Sequence, residues 1–257
     1  MTPRKTIEFM PEFPNSITEY WVRVFTDGEV IQADQDLTIT INPTLNHRRS
    51  VMLLRQADGL TRAVLTPHVA RLLSLQAGAR PLPLQQFRAR LTEIGVVLHD
   101  PDRVFYYPDA AAPRVAMAGE EVARQLSERD QAAFAAFQSE ASEQDKDGAF
   151  VELDHWAVFG VFERERLVSV ASMYPWDNTA IADLGVLTLP DVRGKGHAKA
   201  LVRSISRHAL NLGHQPQFRC QLDNSASNAL AQAAGLSLFG VWEVVSSNAR
   251  NTETQPS

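Results

Sequence analysis

Cysteine is nearly missing from this chain of 257 residues: Cys220 stands alone. No internal disulfide can form, which fits a reducing compartment. No apolar run approaches the roughly 20 residues needed to span a bilayer. The opening Met1-Thr2-Pro3-Arg4-Lys5 continues to Glu8 and Pro11 without the apolar stretch of a secretory signal. A cytoplasmic protein with no membrane partner is the expectation. There is no basic excess either; the formal net charge of -5 argues against a nucleic-acid partner, which usually selects for a basic surface. Several chemical signatures are absent as well. There is no Gly-x4-Gly-Lys-Ser/Thr phosphate loop and no Gly-x-Ser-x-Gly nucleophile elbow. His155, His197, His208 and His214 show no zinc-type spacing with cysteine or aspartate, so no metal is expected.

What is present is an ordinary globular composition, 44% hydrophobic, enough to bury a core. Charge is uneven. From Gly119 onward the chain has 18 acidic and 12 basic residues, a balance that would weakly favour a cationic amine and also serves solubility. Pro108 to Pro113, with its alanine run, reads as a linker. It divides an N-terminal α+β domain (1–115) from a second domain (116–247), with a polar tail (248–257) expected to be disordered. Residues 1–18 read as an arm. In the first domain Tyr20–Phe25 and Glu29–Ile31 read as a hairpin about Asp27-Gly28. Leu37–Ile41, Val51–Leu54 and Thr61–Leu65 read as strands, the last two about Asp58-Gly59. Pro67–Leu73 and Leu84–Ile94 read as helices, and Val96–Leu98 and Val104–Tyr107 as strands. In the second domain Ser127 caps a helix to about Ala141 and Glu140–Gly148 reads as a charged loop. Strands follow at Trp156–Phe162, Leu167–Tyr174 and Ile181–Thr188. A long helix then ends near Gly213, followed by strand Phe218–Leu222, helix Ser225–Ala234 and strand Leu238–Val245. The fold class is α+β, helices packed on a mixed sheet.

The strongest chemical signal is the junction Leu189-Pro190-Asp191-Val192-Arg193-Gly194-Lys195-Gly196-His197-Ala198 between a strand and a helix. A helix N-terminus offers unpaired N–H groups and a positive dipole end, and so binds anions. Gly194 and Gly196 can take backbone angles closed to other residues and let a phosphate approach. Lys195 and Lys199 add charge, and Arg193 can position the loop. The dinucleotide pattern Gly-x-Gly-x-x-Gly fails, because Lys199 occupies its third position.

This loop resembles that of the GNAT superfamily of acyl-CoA transferases, Arg/Gln-x-x-Gly-x-Gly/Ala, with Arg193, Gly196 and Ala198 at its fixed positions. Asn224-Ser225-Ala226-Ser227, Leu230 and Gly235-Leu236 are similar to the family's second motif. The resemblance spans about Val122 to Val245. Within the family, Val158–Phe162 and Gly240–Glu243 look most like enzymes related to the aminopolyol-antibiotic (zwittermicin) acetyltransferase. The resemblance implies acetyl-coenzyme A as cofactor. It implies that strand Ile181–Thr188 splays from its neighbour, so that Leu187, Thr188 and Leu189 pair with the pantetheine arm. It assigns Arg193 and the amides of Gly194, Lys195, Gly196, His197 and Ala198 to the pyrophosphate loop, and Asn224 and Ser227 to contacts near the thioester; Lys199, Arg203 and Arg207, off the apolar face of the long helix, read as a solvated face, with Lys199 the candidate for the 3′-phosphate. The N-terminal domain then reads as a degenerate copy of the same fold or as a wall of the acceptor pocket. It has no glycine loop and should bind no second cofactor.

Acyl transfer to an amine needs a base. Ala182 falls where many family members place a glutamate. Asp183 is adjacent, on the opposite sheet face unless the strand bulges, and equally reads as a structural aspartate. Glu152, Asp154 and Glu243 are further candidates. Ala231 falls where many members place an acidic tyrosine, and Ser227 or Tyr174 could substitute. Trp176-Asp177-Asn178 either lines the acceptor pocket or is a packed turn. Cys220, between Phe218 and Leu222, reads as core. These residues point to an N-acetyltransferase acting on the primary amine of a small molecule. A non-catalytic acyl-CoA sensor and a protein or peptide acetylase are the alternatives, and a homodimer is left open.

Overall fold

The structure is a computed structural model that describes residues 12–56, 59–117, 122–177 and 179–245. The tail 248–257, Asp58 and Asn178 lie outside the described residues. In chain order the first elements are α1 (Asn15–Thr26), β1 (Glu29–Ala33), β2 (Leu37–Ile41), β3 (Val51–Gln56), β4 (Thr61–Leu65), α2 (Pro67–Leu72), α3 (Leu84–Glu93) and β5 (Asp102–Tyr106). Then come α4 (Ala112–Met117), β6 (Ala123–Gln125), α5 (Gln131–Glu140), α6 (Glu143–Ala149), β7 (Ala157–Glu163), β8 (Arg166–Pro175) and β9 (Ile181–Thr188). The last are α7 (His197–Asn211), β10 (Gln215–Gln221), α8 (Ser225–Ala234) and β11 (Ser237–Val244). The chain divides into two compact units that interleave in sequence. One holds Met1–Ile17, Tyr106–Phe218 and Ala229–Ser237; the other holds Thr18–Phe105, Arg219–Asn228 and Leu238–Ser257.

In the second of these units the strand order is β1-β2-β4-β3-β11-β5. β2 and β4 are parallel; β1–β2, β3–β4 and β3–β11 are antiparallel. Leu37, Ile39, Leu53, Ala63 and Leu65 from the strands bury against Val69, Phe87 and Leu91 of α2 and α3. Residues Tyr20–Phe25, expected as a strand, lie in α1 instead. Their aromatic and β-branched content favours strand, but Ile17, Trp21 and Phe25 recur every four residues and are almost wholly buried, and that spacing puts them on one helical face. Trp21 packs on Phe25, Phe239 and Trp242, with ring centroids 6.0–6.3 Å apart. The hairpin exists one step later. It joins β1 to β2 where Oδ1 of Asp34 accepts from the amides of Asp36 and Leu37. Of the expected strand Val96–Leu98, only Leu98 bridges, to Val245.

In the other unit the order is β10-β9-β8-β7-β6, antiparallel except for the parallel pair β9–β10. The result is a mixed, mostly antiparallel sheet flanked by helices, as the sequence predicts. Before α5, Asp130 accepts from the amide of Ser127 at 2.9 Å and from Nη2 of Arg124 at 2.6 Å. The Arg124 guanidinium, with the Ser127 amide second, holds the Asp130 carboxyl down at about 2. The expected charged loop at Glu140–Gly148 contains α6. Ser142 caps it by accepting from the amide of Asp145, and Glu143 and Asp145 sit in the first turn where the helix dipole favours acids. No residue of α6 is buried, so no apolar period advertised it. Leu201, Val202, Ile205 and Ala209 of α7 are wholly buried, while Leu212, expected on the same face, is 56% exposed because α7 ends at Asn211.

Two expectations follow. Trp21→Ala should cost about 3–5 kcal/mol in urea unfolding, whereas Val22→Glu, on the outer face of α1, should stay within about 0.5 kcal/mol. Asp130 has its carboxyl pKa depressed by folding, so its contribution is complete above the ordinary aspartate value and is lost as pH falls toward 2. Asp130→Asn should therefore flatten the fall in melting temperature below about pH 4.

Candidate active site

β9 is held on one edge along its length and on the other only in part. β8 pairs with it from Ala182 to Thr188 without a register shift. β10 pairs only from Ile181 to Leu184, and the last rung joins Leu184 to Phe218. From Gly185 to Thr188 the strand therefore has one partner. Which groups face the open edge follows from antiparallel alternation. The amide of Leu189 donates to the carbonyl of Val168, so Leu189 and, two residues earlier, Leu187 direct their main chain toward β8. Thr188 and Val186 face the open side. This corrects the expectation that Leu187, Thr188 and Leu189 all offer free groups: on the open side Thr188 offers its amide, its carbonyl accepting from Nε of Arg193, and Val186 joins it. Sequence alone could not settle the parity, because it depends on register.

At the end of β9 the chain turns through Pro190–Val192 into the glycine loop. Gly194 and Gly196 have φ of +81° and +88°, and a Cβ at either would meet nothing within 4 Å. The glycines serve backbone angle and access. Gly196 begins α7 without a side-chain cap. The amides of Gly194, Lys195, Gly196, His197 and Ala198 have no hydrogen-bond acceptor among the described residues. Orphan donors at a helix start are what an anionic diphosphate satisfies. Arg193 does position the loop: its Nε donates to the carbonyl of Thr188 at 3.0 Å and its Nη2 pairs with Asp145 at 3.0 Å. Glu163, at the end of β7, accepts from Nζ of Lys195 at 2.8 Å and lies 2.9 Å from Nε2 of His197. Lys195 first and His197 second hold the Glu163 carboxyl below the usual range. Lys199 is exposed with no partner among the described residues. The orphan amides, the half-open strand and a free lysine fit acetyl-CoA as the group to be held.

Asp183 is 4% exposed. Its Oδ2 accepts from the hydroxyl of Tyr174 and its Oδ1 from Nε2 of Gln217, both at 2.8 Å. Gln217 in turn accepts from the Tyr106 hydroxyl. β9 does not bulge, so Asp183 keeps the face opposite to Ala182, and Ala182 is wholly buried. Ser172 and Tyr174 on β8 lie directly opposite Gly185 and Asp183. His155 Nδ1 sits 2.8 Å from Oγ of Ser172, and its ring packs on Phe150 and Tyr174 with centroids 5.1 and 5.0 Å away. Burial lowers the His155 pKa, against an upward pull from Asp154 and Glu152.

The remaining candidates resolve differently. Glu152 and Asp154 are exposed. Glu243, 7% exposed, is bound by both terminal nitrogens of Arg88 at 2.7 and 2.5 Å, which makes it an ion-pair carboxylate. Asn224 accepts from the amide of Ser227 at 2.9 Å and so caps α8, leaving its Nδ2 and the Ser227 hydroxyl available. Ala231 is wholly buried. Trp176 is buried in a turn in which Thr179 donates twice to its carbonyl; Asn178 lies outside the described residues. Burial raises the Cys220 thiol to about 11, so it is no nucleophile at neutral pH. No group of three or more His, Cys, Asp or Glu suited to a metal occurs among the described residues. Sequence reasoning missed the grouping of His155 with Ser172 and Tyr174 and the anchoring role of Glu163. The one legible trace was two hydroxyl residues two apart in the apolar strand β8.

Residues 124–236 match the model of the acetyltransferase (GNAT) family. That stretch runs from β6 to the end of α8, and GNAT acetyltransferases use acetyl-CoA. Among solved structures, an acetyltransferase of the GNAT family from Colwellia psychrerythraea shares the fold over 94% of this chain and 98% of its own, with TM-score 0.51 and 16% identity. A GNAT-family protein from Novosphingobium aromaticivorans is similar over 71% of this chain and 81% of its own, with TM-score 0.49 and 19% identity. No curated protein matches this sequence. No helix among the described residues is long and apolar enough to cross a membrane.

The glycines of the matched segment separate two constraints. A Cβ on Gly185 would lie 2.0 Å from the carbonyl oxygen of Ala149, so Gly185→Ala must push α6 off the strand, at about 1–3 kcal/mol. Gly194→Ala meets only its backbone angle, at about 1 kcal/mol. Urea unfolding of the two variants should rank them in that order.

Proposed function

We propose that the GNAT segment moves the acetyl group of acetyl-CoA to a primary amine of a small molecule, with both substrates bound together. The observation that carries this reading is the parting of β9 from β10 after Leu184 and Phe218, beside a loop of unpartnered amides. In it, the main chain of Val186 and the amide of Thr188 hold the pantetheine arm as a false strand. The amides of Gly194 to Ala198 hold the pyrophosphate, and Lys199 takes the 3′-phosphate. Asn224, through Nδ2, and Ser227, through its hydroxyl, contact the cofactor. Acetyl-CoA supplies an acetyl group already activated as a thioester. The acceptor nitrogen forms the bond to the acetyl carbon with its lone pair, sulfur leaves with the electrons of the broken C–S bond, and the proton that the nitrogen loses as the amide forms is passed to sulfur. Asp183, with both oxygens already accepting, serves by fixing the Tyr174 hydroxyl, and Tyr174 or Ser227 returns the proton to sulfur. The narrower likeness to aminopolyol-antibiotic acetyltransferases would place the acceptor among amino-polyols. The acidic excess of the second half favours a cation.

Ala231 in the place of the family's usual tyrosine motivates one competing reading, a sensor that binds acyl-CoA without turnover. Thiols leave readily, with pKa near 8.5, so a missing acid need not stop the reaction.

Isothermal titration and thiol-release assays test the proposal. The wild-type chain should bind one CoA, since the N-terminal segment has no glycine loop, and should release thiol from acetyl-CoA with some member of a panel of polyamines, aminoglycosides, amino acids and peptides. Gly196→Trp should lose CoA binding by about 100-fold or more, roughly the free energy of two hydrogen bonds to a charged group, while keeping its fold by circular dichroism. Normal CoA binding in that variant sinks the loop assignment; binding without turnover across the panel favours the sensor.

A further inference from the structure

The conventional candidates for the base are compromised: Ala182 has no proton acceptor, Asp183 is doubly engaged, and Glu243 is locked to Arg88. On the face that bears Asp183, a different group is placed for the work. Ser172 stands opposite Gly185, the first residue of β9 past the last β10 rung. His155 is bonded to Ser172 through Nδ1, so its ring lies over β8 at the level of Gly185, where β9 loses its pairing with β10. The ring has no other hydrogen-bond partner among the described residues, so Nε2 is unengaged. Phe150, which ends α6 at φ +46° and is 53% exposed, lays its ring on the imidazole. Tyr174 packs on both rings, its centroid 5.0 Å from that of His155 and 5.5 Å from that of Phe150, so the three form a triangle, and its hydroxyl donates to Asp183.

Resting on the acetyl-transfer reading, we propose that Nε2 of His155 is the base that takes the proton from the acceptor's ammonium. The working tautomer carries its hydrogen on Nδ1 and donates it to Oγ of Ser172, which leaves the Nε2 lone pair outward. The ammonium gives one proton to Nε2 and becomes a neutral amine with a free electron pair. The imidazole becomes an imidazolium whose Nδ1–H stays on Ser172, and it returns the proton to solvent after product leaves. Serine holds the ring's orientation without donating negative charge, so the base stays weak enough to be neutral at physiological pH. The groups around it are Glu152 and Asp154 on its own loop, Tyr174 from β8, Asp183 from β9 and the uncharged Phe150 from the end of α6. The two exposed acids attract the cationic acceptor; the aromatic cover keeps the ring itself deprotonated. The acceptor class is a small cationic amine that can approach beside Phe150.

The test uses the full chain, with acetyl-CoA as donor and spermidine, kanamycin and lysine as acceptors. Wild-type kcat/KM should fall on acidification, with a midpoint below the ordinary histidine value. His155→Gln should lower kcat/KM by about 100-fold or more and abolish that acidic limb. It should leave CoA binding by titration calorimetry within twofold. Phe150→Ala, which uncovers the ring, should raise the midpoint toward the ordinary value. Independently of turnover, ¹⁵N spectra of the histidine-labelled chain at pH 7.5 should show His155 protonated on Nδ1 and bare on Nε2. The reverse tautomer, an unchanged acidic limb in His155→Gln, or a loss of less than threefold overturns the assignment to His155 while acetyl transfer stands. A wild-type chain that binds CoA but releases no thiol with any acceptor overturns acetyl transfer itself, and this role with it.

Discussion

Everything at this site depends on backbone hydrogen-bonding groups that the fold leaves unpaired. Main-chain N–H and C=O groups are nearly always satisfied within a folded protein, so a strand that loses one neighbour halfway, next to a helix start with no cap, is a standing demand for an outside partner. β9 has that form: zipped to β10 as far as Leu184, zipped to β8 throughout, and followed by the uncapped Gly196. The open edge offers the repeat of an extended strand, and the loop offers convergent donors. An acyl-CoA presents the complementary pair, an amide-bearing arm and a diphosphate.

The surrounding residues keep that demand from being met internally. Arg193 ties the loop to the last residue of β9 and to Asp145 of α6, which keeps the turn from collapsing onto its own amides. Glu163 holds Lys195 and His197 to one side, so positive charge stays near the anion site without blocking it. Gly185 lets the end of α6 lie directly on the strand. That contact brings Phe150 over the polar face where His155, Ser172, Tyr174 and Asp183 gather. The cofactor loop and the polar face are thus fixed by the same few contacts along one strand.

The functional consequence is a division of labour along β9. At its C-terminal end and in the following loop, the groups left open are main-chain ones. Its middle carries Asp183, with both carboxylate oxygens hydrogen-bonded, on the face where burial lowers the His155 pKa. Such separation lets the acceptor side vary while the cofactor side stays constant, which is how a single fold serves many acyl acceptors.

Apart from α6, the order of strands and helices from Ser127 to Val245 was legible in the sequence, as were the glycine turn at Arg193–Ala198 and most of the core face of α7, because each rests on local physics: periodic apolar residues, helix capping and the glycine requirement at positive φ. Helix α1 was misread for a related reason. The local preferences of Tyr20–Phe25 favour strand, and only the burial of Trp21 and Phe25 on one side overrules them. Helix α6 was missed because it buries nothing and so leaves no pattern. Register-dependent facts were beyond the sequence altogether: that Val186 and Thr188, not Leu187 and Leu189, face the open edge, and that Ser172 stands opposite Gly185. Alternation along a strand fixes a side chain's face only once pairing has chosen the register, and pairing is made between segments far apart in the chain. The sequence by itself determined that a glycine turn starts α7; the tertiary structure decided which backbone groups stay unpaired and which polar side chains, His155, Ser172, Tyr174 and Asp183, gather along β8 and β9.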